Sequence, residues 1–84
     1  MPAVTLYTTR HCPYCLNAKA LLSRKGVVAT EIDVESSPRL LAQMMQRTGR
    51  RTVPQIYIGD RHIGGFDDLA ALERQGELDG LLQA

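Results

Sequence analysis

Residues 3–22 read AVTLYTTRHCPYCLNAKALL, and the fold is decided there. From Ala3 to Thr8 the residues alternate, with Val4 and Leu6 on one side of an extended chain and Thr5 and Tyr7 on the other. That is the pattern of a strand. Pro13 then suits the first position of a helix, where the N–H that proline lacks would have no partner anyway. Ala18, Leu21 and Leu22 stand at i, i+3 and i+4 and form one apolar stripe. Arg24 and Lys25 suit the last turn, and Gly26 is placed to end the helix. Cys12 and Cys15, the chain's two cysteines, lie where strand passes into helix.

Working outward, Val27 to Val34 is rich in β-branched residues, and Val28, Thr30, Ile32 and Val34 share a face. Strand, helix and strand make a βαβ unit. Ser36 or Ser37 caps a second helix with Pro38 at its first position, Leu40, Leu41, Met44 and Met45 as its buried stripe, and Gly49 at its end. Pro54 to Ile58 is a short strand, Gly59-Asp60 a two-residue turn, and Arg61 to Gly64 the hairpin partner. Asp67 is expected to cap a last helix carrying Leu69 and Leu72. Gly76 interrupts it, and Leu78, Leu81 and Leu82 continue for a final turn or two. The order β-α-β-α-β-β-α predicts an α/β fold, a mixed four-stranded sheet flanked by about three helices.

The chain has 84 residues, so one domain spanning 1–84 is expected. Its 44% hydrophobic content permits a core built by regular packing. A disulfide between cysteines three apart closes too short a loop to act as a structural staple. The net charge of +1 gives no reason to expect nucleic acid as a partner. The start, Met-Pro-Ala-Val-Thr, lacks the basic and apolar regions of a signal peptide. No apolar run approaches the roughly 18 residues of a membrane span. A cytoplasmic location, no membrane partner and a monomer are the expectations. In that compartment a close Cys pair is catalytic or metal-binding rather than structural.

A thiol–disulfide exchanger needs one thiolate to attack and a second thiol to resolve the mixed disulfide. The attacking Cys needs a lowered pKa, which a helix N-terminus supplies through unpaired N–H groups and partial positive charge. Cys12 falls just before the helix opened by Pro13. Cys15 lies one turn deeper on the same face, where a resolving thiol belongs. Arg10 and His11 precede Cys12 and add positive potential. The alternative is half of a zinc site, but a closed structural site takes four ligands, and His11 and His62 lack the paired spacing. No metal is therefore expected. A strand, then CxxC, then a helix inside a βαβ unit is the thioredoxin-like redox arrangement.

Nearly the whole chain resembles the glutaredoxins of the dithiol, small bacterial type. Cys12-Pro13-Tyr14-Cys15 matches their active site, Thr52-Val53-Pro54 matches a Thr-Val-Pro segment whose proline is cis, and Gly64-Gly65-Phe66-Asp67-Asp68 is similar to a Gly-Gly-x-x-Asp segment. The resemblance implies a glutathione-dependent thiol–disulfide oxidoreductase with Cys12 and Cys15 as the redox disulfide. Glutathione is then a co-substrate rather than a tightly bound cofactor. Tyr14, Thr52, Val53, Pro54, Gly65, Asp67 and Asp68 would form its binding site, the two aspartates meeting the glutamyl end. The implied protein partners are disulfide-bonded or glutathionylated proteins, ribonucleotide reductase among them. Two departures stand out. Thr9 occupies the place of a lysine that holds the glycyl carboxylate, and Leu41 lies near the place of a Gln or Arg. Arg39, Arg50 and Arg51 are the candidate substitutes. These departures keep open a redoxin reduced by thioredoxin reductase. An iron–sulfur cluster module is disfavoured by Pro13, since cluster-binding relatives carry a small residue there.

Overall fold

The computed structural model describes residues 2–84. Strand β1 (Val4–Thr8) leads into helix α1 (Pro13–Arg24), and strand β2 (Thr30–Asp33) returns beside β1 in parallel. Helix α2 (Pro38–Thr48) follows, then the hairpin of β3 (Gln55–Ile58) and β4 (Arg61–Gly64). Helices α3 (Phe66–Arg74) and α4 (Leu78–Gln83) close the chain. The sheet order is β2-β1-β3-β4, with β3 antiparallel to both neighbours. This is the expected thioredoxin-like α/β architecture.

The alternation in β1 sorts the two faces of the sheet. Val4 and Leu6, with Ile56 and Ile58 of β3, pack against Ala18, Leu21 and Leu22 of α1, Leu69 of α3, and Leu78 and Leu82 of α4. Tyr7 and Tyr57 point the other way and pack with Val34 and Met44, the latter from α2. The sheet is thus covered by α1, α3 and α4 on one side and by α2 on the other. Lys25, at the end of α1, ties the first three together through Glu73 at 2.8 Å and Asp79 at 3.0 Å. Both carboxylates raise its pKa, Glu73 first, against a small opposing effect of burial.

Helix ends follow the residues assigned to them. Gly26 takes a left-handed φ of 76°. Its N–H and that of Val27 return to the carbonyls of Ser23 and Leu22, a Schellman closure. Ser37, not Ser36, caps α2, its hydroxyl accepting the Leu40 N–H at 3.2 Å.

Three expectations need correction. The second strand begins at Thr30 rather than Val27, and Val28 is 96% exposed. Pairing with β1 starts at Thr30, so Val28 lies outside the ladder, while its neighbours Val27 and Ala29 pack against the α1-side core. The last helix begins at Phe66 with Gly65 as its N-cap, not Asp67. Asp67 and Asp68 fall inside the first turn because β4 ends in a bulge. Ile56 faces Gly64 and Tyr57 faces His62, leaving Ile63 as an extra residue. Finally, Leu78–Gln83 is a separate fourth helix, because Gly76 takes a φ of 74° and turns the chain before it.

Candidate active site

Cys12 is the N-cap of α1, with extended backbone at φ −125° and ψ 100°. Its carbonyl accepts the Leu16 N–H, opening the helical ladder, and its Sγ receives the Cys15 N–H at 3.1 Å. Cys12 and Cys15 are joined as a disulfide with their Cα atoms 5.2 Å apart. Cys12 is 9% exposed and Cys15 only 1%. The more exposed of the two cysteines is therefore also the one at the helix N-terminus.

The Val53–Pro54 peptide is cis, as the resemblance implies. The Val53 carbonyl oxygen stands 3.7 Å from Cys12 Sγ. Val53 also lines a groove of about 290 Å³, with Tyr14, Arg50, Thr52, Pro54, Gly65, Phe66, Asp67 and Asp68. Every residue expected to meet glutathione lines this one groove. The Tyr14 ring, 60% exposed, stacks on Phe66 at 6.4 Å between centroids.

Asp68 stands at the third position of α3 and reaches back with Oδ2 to accept the Gly65 N–H at 2.9 Å. The same oxygen accepts from Arg50 at 3.2 Å. The backbone N–H of Gly65, more than Arg50, holds this carboxyl below the usual carboxylate range. Gly64 makes the approach possible. Its φ is 117°, and a Cβ there would collide with the Asp68 carboxylate.

Three readings of the sequence are sharpened here. Of the three arginines, Arg50 lines the groove, while Arg39 and Arg51 do not. Thr9 and Arg10 line a second cavity of about 200 Å³ that Cys12 and Cys15 also line, with Lys19, Glu31 and Asp33. Leu41 is packed into the α2 side of the core. Phe66, an unspecified position of the Gly-Gly-x-x-Asp pattern, also lines the groove. Among the described residues, no group of three or more His, Cys, Asp or Glu side chains could hold a metal ion.

The family model for glutaredoxin matches residues 4–63, well over half of the chain. The chain belongs to the glutaredoxin family. It is therefore a glutathione-dependent thiol–disulfide oxidoreductase, and its Cys12 and Cys15 are joined as a disulfide. A glutaredoxin of Pseudomonas aeruginosa is 56% identical over 100% of both chains. The solution structure of a glutaredoxin from Brucella melitensis is 56% identical and superimposes with a TM-score of 0.86, covering 98% of this chain and 89% of that one. A buckwheat glutaredoxin–glutathione complex, 30% identical, superimposes with a TM-score of 0.90, covering 98% of this chain and 77% of that one. Among the described residues of this glutaredoxin, no helix is long and apolar enough to cross a membrane.

Proposed function

We propose that Cys12 is the nucleophile, Cys15 the resolving thiol, and the Tyr14–Asp68 groove the seat of glutathione. The observation that carries this reading is the placement of Cys12 Sγ. It sits at the start of α1, 3.1 Å from a backbone N–H and 3.7 Å from the carbonyl of Val53, a residue that lines the groove. After reduction, the helix N–H groups that face this sulfur stabilise its thiolate. The thiolate attacks a sulfur of the substrate disulfide, and the departing thiolate takes up a proton from solvent.

With a glutathione mixed disulfide, the glutathionyl sulfur bonds to Cys12 and the substrate leaves as a thiol. The peptide lies extended along Thr52 and Val53, pairing with the Val53 backbone as an added strand would. Its glutamyl ammonium meets Asp67 and Asp68, and its glutamyl carboxylate meets the N–H groups at the start of α3. Pro54, Gly65 and Tyr14 complete the lining of the groove. A second glutathione thiolate releases the first as glutathione disulfide. With a protein disulfide, Cys15 attacks the mixed disulfide instead, leaving the Cys12–Cys15 bond for two glutathione molecules to reduce. The buckwheat complex, at 30% identity and a TM-score of 0.90, supports the glutathione assignment.

The same reading has the chain act as one domain and as a monomer in the cytoplasm, on disulfide-bonded or glutathionylated proteins. Its radius of gyration of 12.0 Å supports one domain, since a compact chain of this length has about 12 Å.

Turnover of a glutathione–cysteine mixed disulfide, coupled to glutathione reductase, tests the cysteine roles. Cys12→Ser is expected to lose all activity. Cys15→Ser is expected to keep deglutathionylation and to lose reduction of a protein disulfide such as insulin's. Wild-type turnover by Cys12→Ser would end the assignment.

A further inference from the structure

On the α2 side of the sheet, behind the groove, Gln55 and His62 make a contact that the chemistry at Cys12 does not use. Gln55 is 0% exposed, so both ends of its amide need partners. Its Nε2 donates to the Thr52 carbonyl at 3.0 Å and to Thr52 Oγ1 at 3.3 Å. A carbonyl only accepts, which fixes this end of the amide as the NH2. The other end, Oε1, lies 2.7 Å from His62 Nε2. Facing an acceptor, Nε2 must carry the imidazole proton. The tautomer thus follows from the Thr52 carbonyl through Gln55.

The imidazole is itself held. It stacks on Tyr57 at 5.0 Å between centroids, and Tyr57 carries the Arg47 guanidinium 3.7 Å from its ring centre. Arg47 also donates to the Tyr7 hydroxyl at 3.1 Å. Tyr7, Tyr57 and His62 belong to three neighbouring strands. By contrast, Thr52 and Val53 lie in the connection between α2 and β3, outside the sheet ladder. The Gln55 amide joins that connection to the sheet.

We propose that His62 is a positioning residue. Acting through Gln55, it holds the Thr52–Val53 backbone at the spacing from Cys12 that glutathione requires, and so sets affinity for glutathionylated substrate rather than the reactivity of Cys12. The proposal rests on the groove being the glutathione seat. The two readings are separated by comparing His62→Leu, His62→Gln and Asp68→Asn.

The probes are a glutathione–cysteine mixed disulfide under steady state and 5,5′-dithiobis(2-nitrobenzoate), which carries no glutathione, in a single turnover of the reduced protein. For His62→Leu, KM for the mixed disulfide is expected to rise about tenfold, the scale of one buried hydrogen bond left unmade. Its kcat and its rate with the second probe stay near wild type. His62→Gln, which keeps a donor, recovers most of the affinity. An unchanged KM in His62→Leu beside a raised KM in Asp68→Asn overturns the positioning role and leaves the groove standing. Unchanged KM in both overturns the groove reading itself. A fall in kcat or in single-turnover rate with KM unmoved also overturns the proposal.

Should His62→Leu not fold, nitrogen-15 NMR decides. Wild-type protein must show His62 as the Nε2–H tautomer. In Cys15→Ser, glutathionylation of Cys12 must shift the Gln55 side-chain amide signals. An Nδ1–H tautomer or unmoved signals overturn the proposal.

Discussion

Cys12 and Asp68 use the same device at the starts of two helices. Each side chain takes a backbone N–H that has no partner inside its helix: Cys15 N–H for the sulfur, Gly65 N–H for the carboxylate. For Asp68 the consequence is a pH dependence. Its folded pKa lies below the usual 3.8, through the Gly65 N–H first and Arg50 second. A depressed carboxyl contributes stability that is complete above the unfolded pKa and is lost as pH falls through the folded one. Asp68→Asn is therefore expected to flatten the acid limb of stability below about pH 4, read as the urea midpoint against pH. His62 is also depressed, from 6.5, by burial first and then by the Arg50 and Arg47 charges, with Asp68 opposing. The unfolded chain binds that proton more readily, so stability should decline as pH falls below about 6.5. His62→Gln should remove that part of the slope. The Gly-Gly-x-x-Asp pattern singled out Asp68, which lines the groove. Its partner Arg50 was one of three candidates, because position along the chain does not say which of several exposed arginines ends beside a carboxylate 18 residues on.

At the scale of elements, the second helix shows how far local signals reach. Ser37, Pro38 and Gly49 bracket α2 as the sequence predicts, and the left-handed φ of 72° at Gly49 closes it. Ser37→Ala removes the acceptor for the Leu40 N–H and is expected to cost about 1 kcal/mol by chemical denaturation. Ser37 lies outside the groove, so KM should not change. The third helix shows the limit. Asp67 is a good capping residue by type, and Gly65 caps instead. The bulge at Ile63 and the reach of Asp68 back to Gly65 move the start of the helix two residues earlier. The second strand fails for a similar reason. Val27 and Val28 have strand-forming side chains, yet pairing with β1 starts only at Thr5 and Thr30. Strand propensity describes a side chain that fits a half-buried surface, and here the surface ends first.

For the whole molecule, a single sheet separates two unequal cores, and the larger holds the helix that carries Cys12. Leu69 is fully buried in that core, in the same cluster as α1, β3 and α4 residues. Leu69→Ala is expected to cost about 2–5 kcal/mol, a large share of the roughly 5–15 kcal/mol that holds a domain folded. The midpoint of guanidinium unfolding measures it. What the sequence determined by itself was the local grammar: strand, cysteine pair and helix in order, the glycines and prolines that end elements, and the alternation that sends Val4 and Leu6 one way and Tyr7 the other. These depend on residues within a turn or a strand of one another, so their spacing is enough. Only the tertiary structure decided that Thr52, Arg50, Phe66 and Asp68 meet around one groove, that Thr9 and Arg10 share a second cavity with Cys12 and Cys15, and that His62 pairs with a buried Gln55 beside Thr52. Those contacts join segments far apart in the chain, and the order and register of four strands, with one bulge, place them together.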